Sequence, residues 1–206
     1  YPLLFLLLSI AASCAVEQAP SGGPQDTTPP EIVAVDPPHR SRYFEEDKIT
    51  FYFNEFIDPS ISGADIFISP LMAPGSFEAY VYNKKLHVKF LEDLQDSTTY
   101  IVTLGSKVKD FRGKNQLEKS IQYAFTTGDQ LDSARVSGTV INARTNQPMT
   151  DLNVLLFPAD SIVNDTFSGI RPTYAAYTEQ DGSFTLGFLK LCDYRILALK
   201  DGAGKY

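Results

Sequence analysis

The chain has no tryptophan, and only two histidines, two cysteines and two methionines among 206 residues. Each scarcity removes a class of chemistry. His39 and His87 lie in different segments with no partner at helical or hairpin spacing, so a zinc centre lacks ligands. No Gly-x-Ser-x-Gly elbow exists, and His87 reads as the solvent face of a strand, which leaves a Ser-His-Asp hydrolase without a frame. An EF-type calcium loop needs alternating oxygen ligands and a late Glu, and neither follows Asp181. Asp181 and Gly182 read most simply as a hairpin turn, with glycine supplying the positive φ. A cation near Asp129 and Asp132 is the remaining metal reading, and a solvated linker is the simpler one. The expectation is a protein without catalytic residues, cofactor or metal.

Positive charge is also scarce. Lys and Arg number 18 against 25 Asp and Glu, a net charge of −7, and no basic run exceeds Lys84 and Lys85. Nucleic acid is excluded as a partner, because neutralising phosphates needs clustered Lys and Arg. Long apolar runs are missing too. A bilayer core of about 30 Å needs about 20 apolar residues in a helix. Residues 1–16 offer only sixteen, interrupted by Pro2, Ser9, Ser13 and Cys14.

What the N-terminus does have is a greasy core, Leu3 to Leu8, then Ala11, Ala12 and Ser13, then Cys14. That is the pattern of a secretory signal, residues 1–13, cleaved ahead of a cysteine that becomes lipidated. Each buried methylene contributes ~0.8 kcal/mol, so two or three acyl chains on Cys14 make a stable membrane anchor. The basic start of such a signal is absent and the chain opens on Tyr1, so it is expected to begin inside its own leader. Residues 14–28 are rich in Pro and Gly, which disfavour helix and sheet and leave an extended tether. With Cys14 acylated, Cys192 has no disulfide partner and reads as a small, partly buried apolar residue.

Beyond the tether, a 43% hydrophobic content marks a folded chain, and the strand period dominates. Residues 48–56 alternate, with Ile49, Phe51 and Phe53 on one face and Thr50, Tyr52 and Asn54 on the other. Residues 77–82 and 86–90 form a hairpin about Asn83 and Lys84, with Leu86, Val88 and Phe90 inward. Shorter runs at 31–37, 64–69, 100–104 and 120–126 complete seven strands, an antiparallel sandwich over residues 29–128. Leu94 stands six residues before Tyr100, which opens a strand, the spacing of a tyrosine corner whose phenol bonds back to upstream backbone. Residues 129–134 read as a linker. A second all-strand unit follows over 135–206 and is expected to continue past Tyr206. Tyr80 and Tyr82 share one strand face; they can stack on a saccharide, although sugar platforms favour Trp and ordinary cross-strand packing is the simpler reading.

Four segments carry a resemblance: 27–33, 49–55, 94–100 and 123–128 look like the bacterial Ig-like domain of S-layer and surface proteins. Behind a lipidated cysteine and a Gly/Pro tether, the arrangement resembles the Ig-like-domain lipoproteins common in Bacteroidetes. The second unit, through residues 136–140, 178–184 and 194–198, is similar to the carboxypeptidase-regulatory, transthyretin-like sandwich. Cys192 and Asp193 depart from the Pro-Gly or Ala-Gly usual there. The fold implied is all-β, two tandem antiparallel β-sandwiches, with no catalytic residues to carry over. Ala15 lacks the aspartate that, by resemblance to enteric lipoproteins, retains them at the inner membrane. The expected location is therefore the outer membrane, facing the periplasm or the cell surface. The function implied is a structural, adhesive or protein-interaction module, its partners the membrane through Cys14 and an envelope protein or glycan. Two alternatives stay open: a glycan- or nutrient-binding accessory lipoprotein, and accessory domains of a larger envelope enzyme extending beyond residue 206.

Overall fold

Period-two patterning becomes twelve strands in the computed structural model, which describes residues 23–162, 167 and 169–200. They are β1 (Ile32–Asp36), β2 (Lys48–Phe53), β3 (Ile66–Ser69), β4 (Phe77–Tyr82), β5 (Lys85–Phe90), β6 (Thr99–Leu104), β7 (Ile121–Thr126), β8 (Ala134–Thr139), β9 (Asn153–Pro158), β10 (Tyr174–Tyr177), β11 (Ser183–Leu189) and β12 (Tyr194–Leu199). Every pairing between them is antiparallel. Helix among the described residues is confined to two single 3-10 turns, Gly63–Asp65 and Ala159–Ser161. The fold is all-β.

Strands β1–β7 build one sandwich from a four-stranded sheet, β1-β2-β5-β4, and a three-stranded sheet, β3-β6-β7. Ile49, Phe51 and Phe53 of β2 and Leu86, Val88 and Phe90 of β5 face Tyr100, Val102 and Leu104 of β6 and Tyr123 and Phe125 of β7. These side chains come from alternate positions because successive strand residues point to opposite faces. The β4–β5 hairpin closes on Asn83 at φ 57°, the left-handed conformation its two-residue loop requires. Its ladder sets Tyr82 opposite Lys85 beside the loop and Tyr80 opposite His87 two pairs further on.

Strands β8–β12 form two smaller sheets, β10-β9-β12 and β11-β8. Residue 182 sits in the β10–β11 connection at φ 74°, and a Cβ there would lie 2.8 Å from the Val140 carbonyl oxygen, so only glycine fits. The tight turn read at Asp181 and Gly182 is present, and the Asp181 carboxylate accepts the Ser183 N–H at 2.9 Å. The Ser183 hydroxyl first, and then this N–H, lower the Asp181 pKa.

The sheet β3-β6-β7 departs from a free-standing sandwich, in which its outward face would meet water. Here both faces are covered: every residue of β3 and of β6 is buried. Outward-facing Ile101 belongs to the apolar cluster of Val154, Leu156, Tyr174, Phe184 and Leu186. Outward-facing Phe67 packs with Leu155, Phe157 and Ala175. The second unit lies against this face.

Candidate functional site

Two regions hold the residues that patterning singled out: the seam between the units and the outer face of β1-β2-β5-β4. The seam joins edge strand β3 to edge strand β10. The Leu71 N–H donates to the Thr173 carbonyl at 2.9 Å, and the Ala175 N–H donates to Ser69 Oγ at 3.3 Å. Tyr177 Oη donates to the Asp65 carbonyl at 3.1 Å, and its ring stacks on Phe67 with centroids 4.5 Å apart. Each edge is thereby shielded from pairing elsewhere. Gly105 makes room for that ring, since a Cβ there would stand 2.5 Å from it.

A second line of bonds runs from β7 to β11. The Gln122 amide donates to the Thr185 carbonyl at 2.7 Å and accepts from the Gly187 N–H at 3.0 Å. Glu179 accepts the Ser120 N–H at 3.0 Å. Strand β11 shifts register between Leu186 and Leu189, and Phe188 there has φ 57°. That bulge sets the Phe188 ring 5.4 Å from His39, with the Arg40 guanidinium 5.3 Å above it. His39 Nδ1 accepts the Ala124 N–H at 3.1 Å; burial and then Arg40 lower its pKa. A groove of about 910 Å³ follows the seam, lined in part by Lys119, Glu179 and Arg135. Glu179 is engaged there in a bond across the joint.

The outer face of β1-β2-β5-β4 carries Tyr80 and Tyr82, 41% and 67% exposed. Tyr80 stacks on His87 at 4.9 Å, and Thr50 Oγ1 bonds His87 Nδ1 at 3.0 Å. Lys85 Nζ lies 5.0 Å from the Tyr52 ring centroid, within cation–π range. Burial, then Lys48 and Lys85, lower the His87 pKa, so the ring is neutral near pH 7.

Of the other expected positions, Cys14 lies outside the described residues. Tyr100 is buried, and its Oη accepts the Gln95 N–H at 2.9 Å; Leu94 packs against the core beside it. Burial raises the Tyr100 pKa, opposed by the Gln95 bond. Cys192 is exposed, not partly buried as its apolar flanks suggested, because it lies in the bend before β12 and not within a strand. The linker is bound rather than solvated throughout: the Asp132 N–H donates to Thr99 Oγ1 at 2.9 Å. Among the described residues no three His, Cys, Asp or Glu converge as a metal site.

Two carboxylates escaped the sequence reading. Asp58 accepts Lys114 Nζ at 2.8 Å and the Ser60 N–H at 2.9 Å, with Lys109 at 3.6 Å. The Lys114 bond, foremost, holds its carboxyl well below the usual range. Asp110 is fully buried; it accepts the N–H groups of Gly113, Lys114 and Asn115, the last two at 3.0 and 2.7 Å. Burial pushes its pKa up, but those bonds outweigh burial and the net shift is down. An Asp three residues before a Gly was the available signal.

The sheets and their packing define an antiparallel β-sandwich protein. The family described as Bacterial Ig-like domain matches residues 26–127, the span of β1–β7, so this is an Ig-like domain protein. Among solved structures, the N-terminal part of the bacterial S-layer protein SbsC is similar at 12% identity and a TM-score of 0.35; the match covers 84% of this chain and 44% of that one. The major pilin subunit BcpA of Bacillus cereus is similar at 8% identity and a TM-score of 0.25, over 82% of this chain and 58% of that one. The chain thus spans about half the length of these structures. No curated protein sequence matches it.

Proposed function

We propose that this chain is a non-catalytic, lipid-anchored envelope module that acts as a rigid spacer or adhesive arm. In this reading Cys14 carries the lipid at the outer membrane, and the Ig-like sandwich is followed by a transthyretin-like one. One observation carries the mechanical part: the outward face of β3-β6-β7 is buried beneath the second unit. Two domains meant to flex would leave that face polar and wet, because relative motion is the default unless the interface is large and apolar. Here Ile101 and Phe67 sit in clusters with second-unit side chains, and bonds such as Gln122 to Thr185 fix the register. A spacer needs that stiffness to set distance and direction. Both histidines are held in structural contacts, His39 by Ala124 and His87 by Thr50 and Tyr80.

The test is a pulsed-dipolar distance measurement between spin labels at Glu78 on β4 and Ser137 on β8, both exposed. Cys14 and Cys192 are first replaced by Ala. A single narrow distance distribution is expected. A broad one, like that of two beads on a string, refutes the rigid-arm reading.

A further inference from the structure

The outer face of β1-β2-β5-β4 is ordered in rows by its strand register. One row runs Tyr82, Lys85, Tyr52, Ala34; the next runs Tyr80, His87, Thr50, Asp36; a third holds Glu78, Lys89 and Lys48. Cations therefore occupy the two central strands, β2 and β5, while the carboxylates Glu78 and Asp36 stand on the edge strands. Three Lys face two carboxylates here, on a chain that elsewhere is strongly acidic. Among the described residues no ion pair joins Lys48, Lys85 or Lys89 to a carboxylate, in contrast to Lys109 and Lys114, which pair with Asp58. The aromatic rings are set by neighbours, Tyr80 by His87 and Tyr52 by Lys85. Tyr80 and Tyr82 repeat along one strand at about 7 Å, two residues at about 3.4 Å each.

We propose that this face binds an anionic polysaccharide, with Tyr80 and Tyr82 stacking on sugar rings and Lys48, Lys85 and Lys89 receiving their carboxylates. The chemistry of the rows selects this class. A sugar offers an apolar C–H face to an aromatic ring, and an acidic sugar adds a charge at each repeat. The ammonium of lysine is a compact point charge suited to such a group. A protein partner fits poorly, because protein interfaces are depleted of Lys and want an apolar centre, whereas the middle of this face is Lys85 and His87. Nucleic acid fits poorly because phosphate is best met by the planar fork of arginine, and the three rows carry lysine but no arginine. The assignment goes beyond the spacer reading and does not depend on it.

Titration calorimetry of the full chain with polygalacturonate tests it, with uncharged dextran alongside. Binding to polygalacturonate that weakens with added salt, and none to dextran, is expected. Tyr82→Ala and Lys85→Glu each weaken binding about tenfold, the scale of one aromatic or charged contact. Lys107→Glu, an exposed lysine off this face, makes the same change in net charge and leaves binding intact. Absence of polygalacturonate binding overturns the proposal, as does equal affinity for dextran or an equal loss in Lys107→Glu. A chain that sediments as a dimer dissolved by Tyr82→Ala assigns the face to a second copy and overturns it too.

Discussion

Replacing Phe67 with Ala is the sharpest probe of the seam. Phe67 belongs to β3 of the first sandwich, is 8% exposed, and packs on Leu155, Phe157 and Ala175 of the second unit. Truncating a buried Phe costs about 3–5 kcal/mol, the loss of transfer energy plus the cavity left behind. The stacking with Tyr177, at 4.5 Å and 18° between planes, is part of that loss. At 1.4 kcal/mol per factor of ten, opening becomes about a hundredfold or more easier. Hydrogen exchange read by mass spectrometry can follow β6 and β9 separately in one experiment. A shared seam requires faster exchange in both strands, although the substitution lies in the first sandwich alone. A Phe67→Ala/Tyr177→Ala double-mutant cycle should add a coupling of at least about 0.5 kcal/mol. If Phe67→Ala speeds exchange in β6 while β9 and β10 stay as protected as in the parent, the two units are energetically independent. The stiffness argued from burial is then wrong.

Tyr100→Phe keeps the ring but leaves the Gln95 N–H without its acceptor, so we expect a loss of about 1 kcal/mol. With a urea slope of about 2 kcal/mol/M the denaturation midpoint drops by about 0.5 M; no shift denies the bond a stabilising role. Cys14→Ala should move the protein from membrane to soluble fractions, and unchanged partitioning in detergent phase separation counts against lipid anchoring. Asp58 and Asp110 both have folded pKa values below the ordinary 3.8. Their stabilisation is complete above that value and is lost as pH falls through the lower folded values. The urea midpoint should therefore decline below about pH 4, and Asp58→Asn should flatten that decline; a parent midpoint independent of pH there contradicts the assignment.

The first sandwich was legible because its constraints are local. Ile49, Phe51 and Phe53 alternate with polar residues, Asn83 and Lys84 mark a two-residue hairpin loop, and Leu94 with Tyr100 gives a spaced pair. Strand β6 was legible as a strand but not as one buried on both faces. Its outward residues, Thr99, Ile101 and Thr103, include two threonines, and a threonine facing water looks the same in sequence as one facing another unit. The linker was misjudged for a similar reason. Nothing local to Asp132 reveals that its N–H meets Thr99, a residue brought close only by the docking of two sheets. The second unit gave weaker signals because its sheets are short and part of its core is Ile101, borrowed from the first.

The same logic separates what patterning can say of the sites. That Tyr80 and Tyr82 share a face follows from the strand period alone. That the face is cationic at its centre does not, because Lys48 lies 37 positions before Lys85 and the two join one surface only through the β2–β5 register. Asp58 and Lys114 are farther apart still, at 56 positions, and their pairing depends on the loops that flank β7 and β3 closing over one another. A chain with a net charge of −7 gives no hint of a positive patch until the strand order sorts its charges. Register creates that patch by placing acidic residues on edge strands and lysines on central ones. Any ligand of this face is therefore chosen by topology as much as by composition.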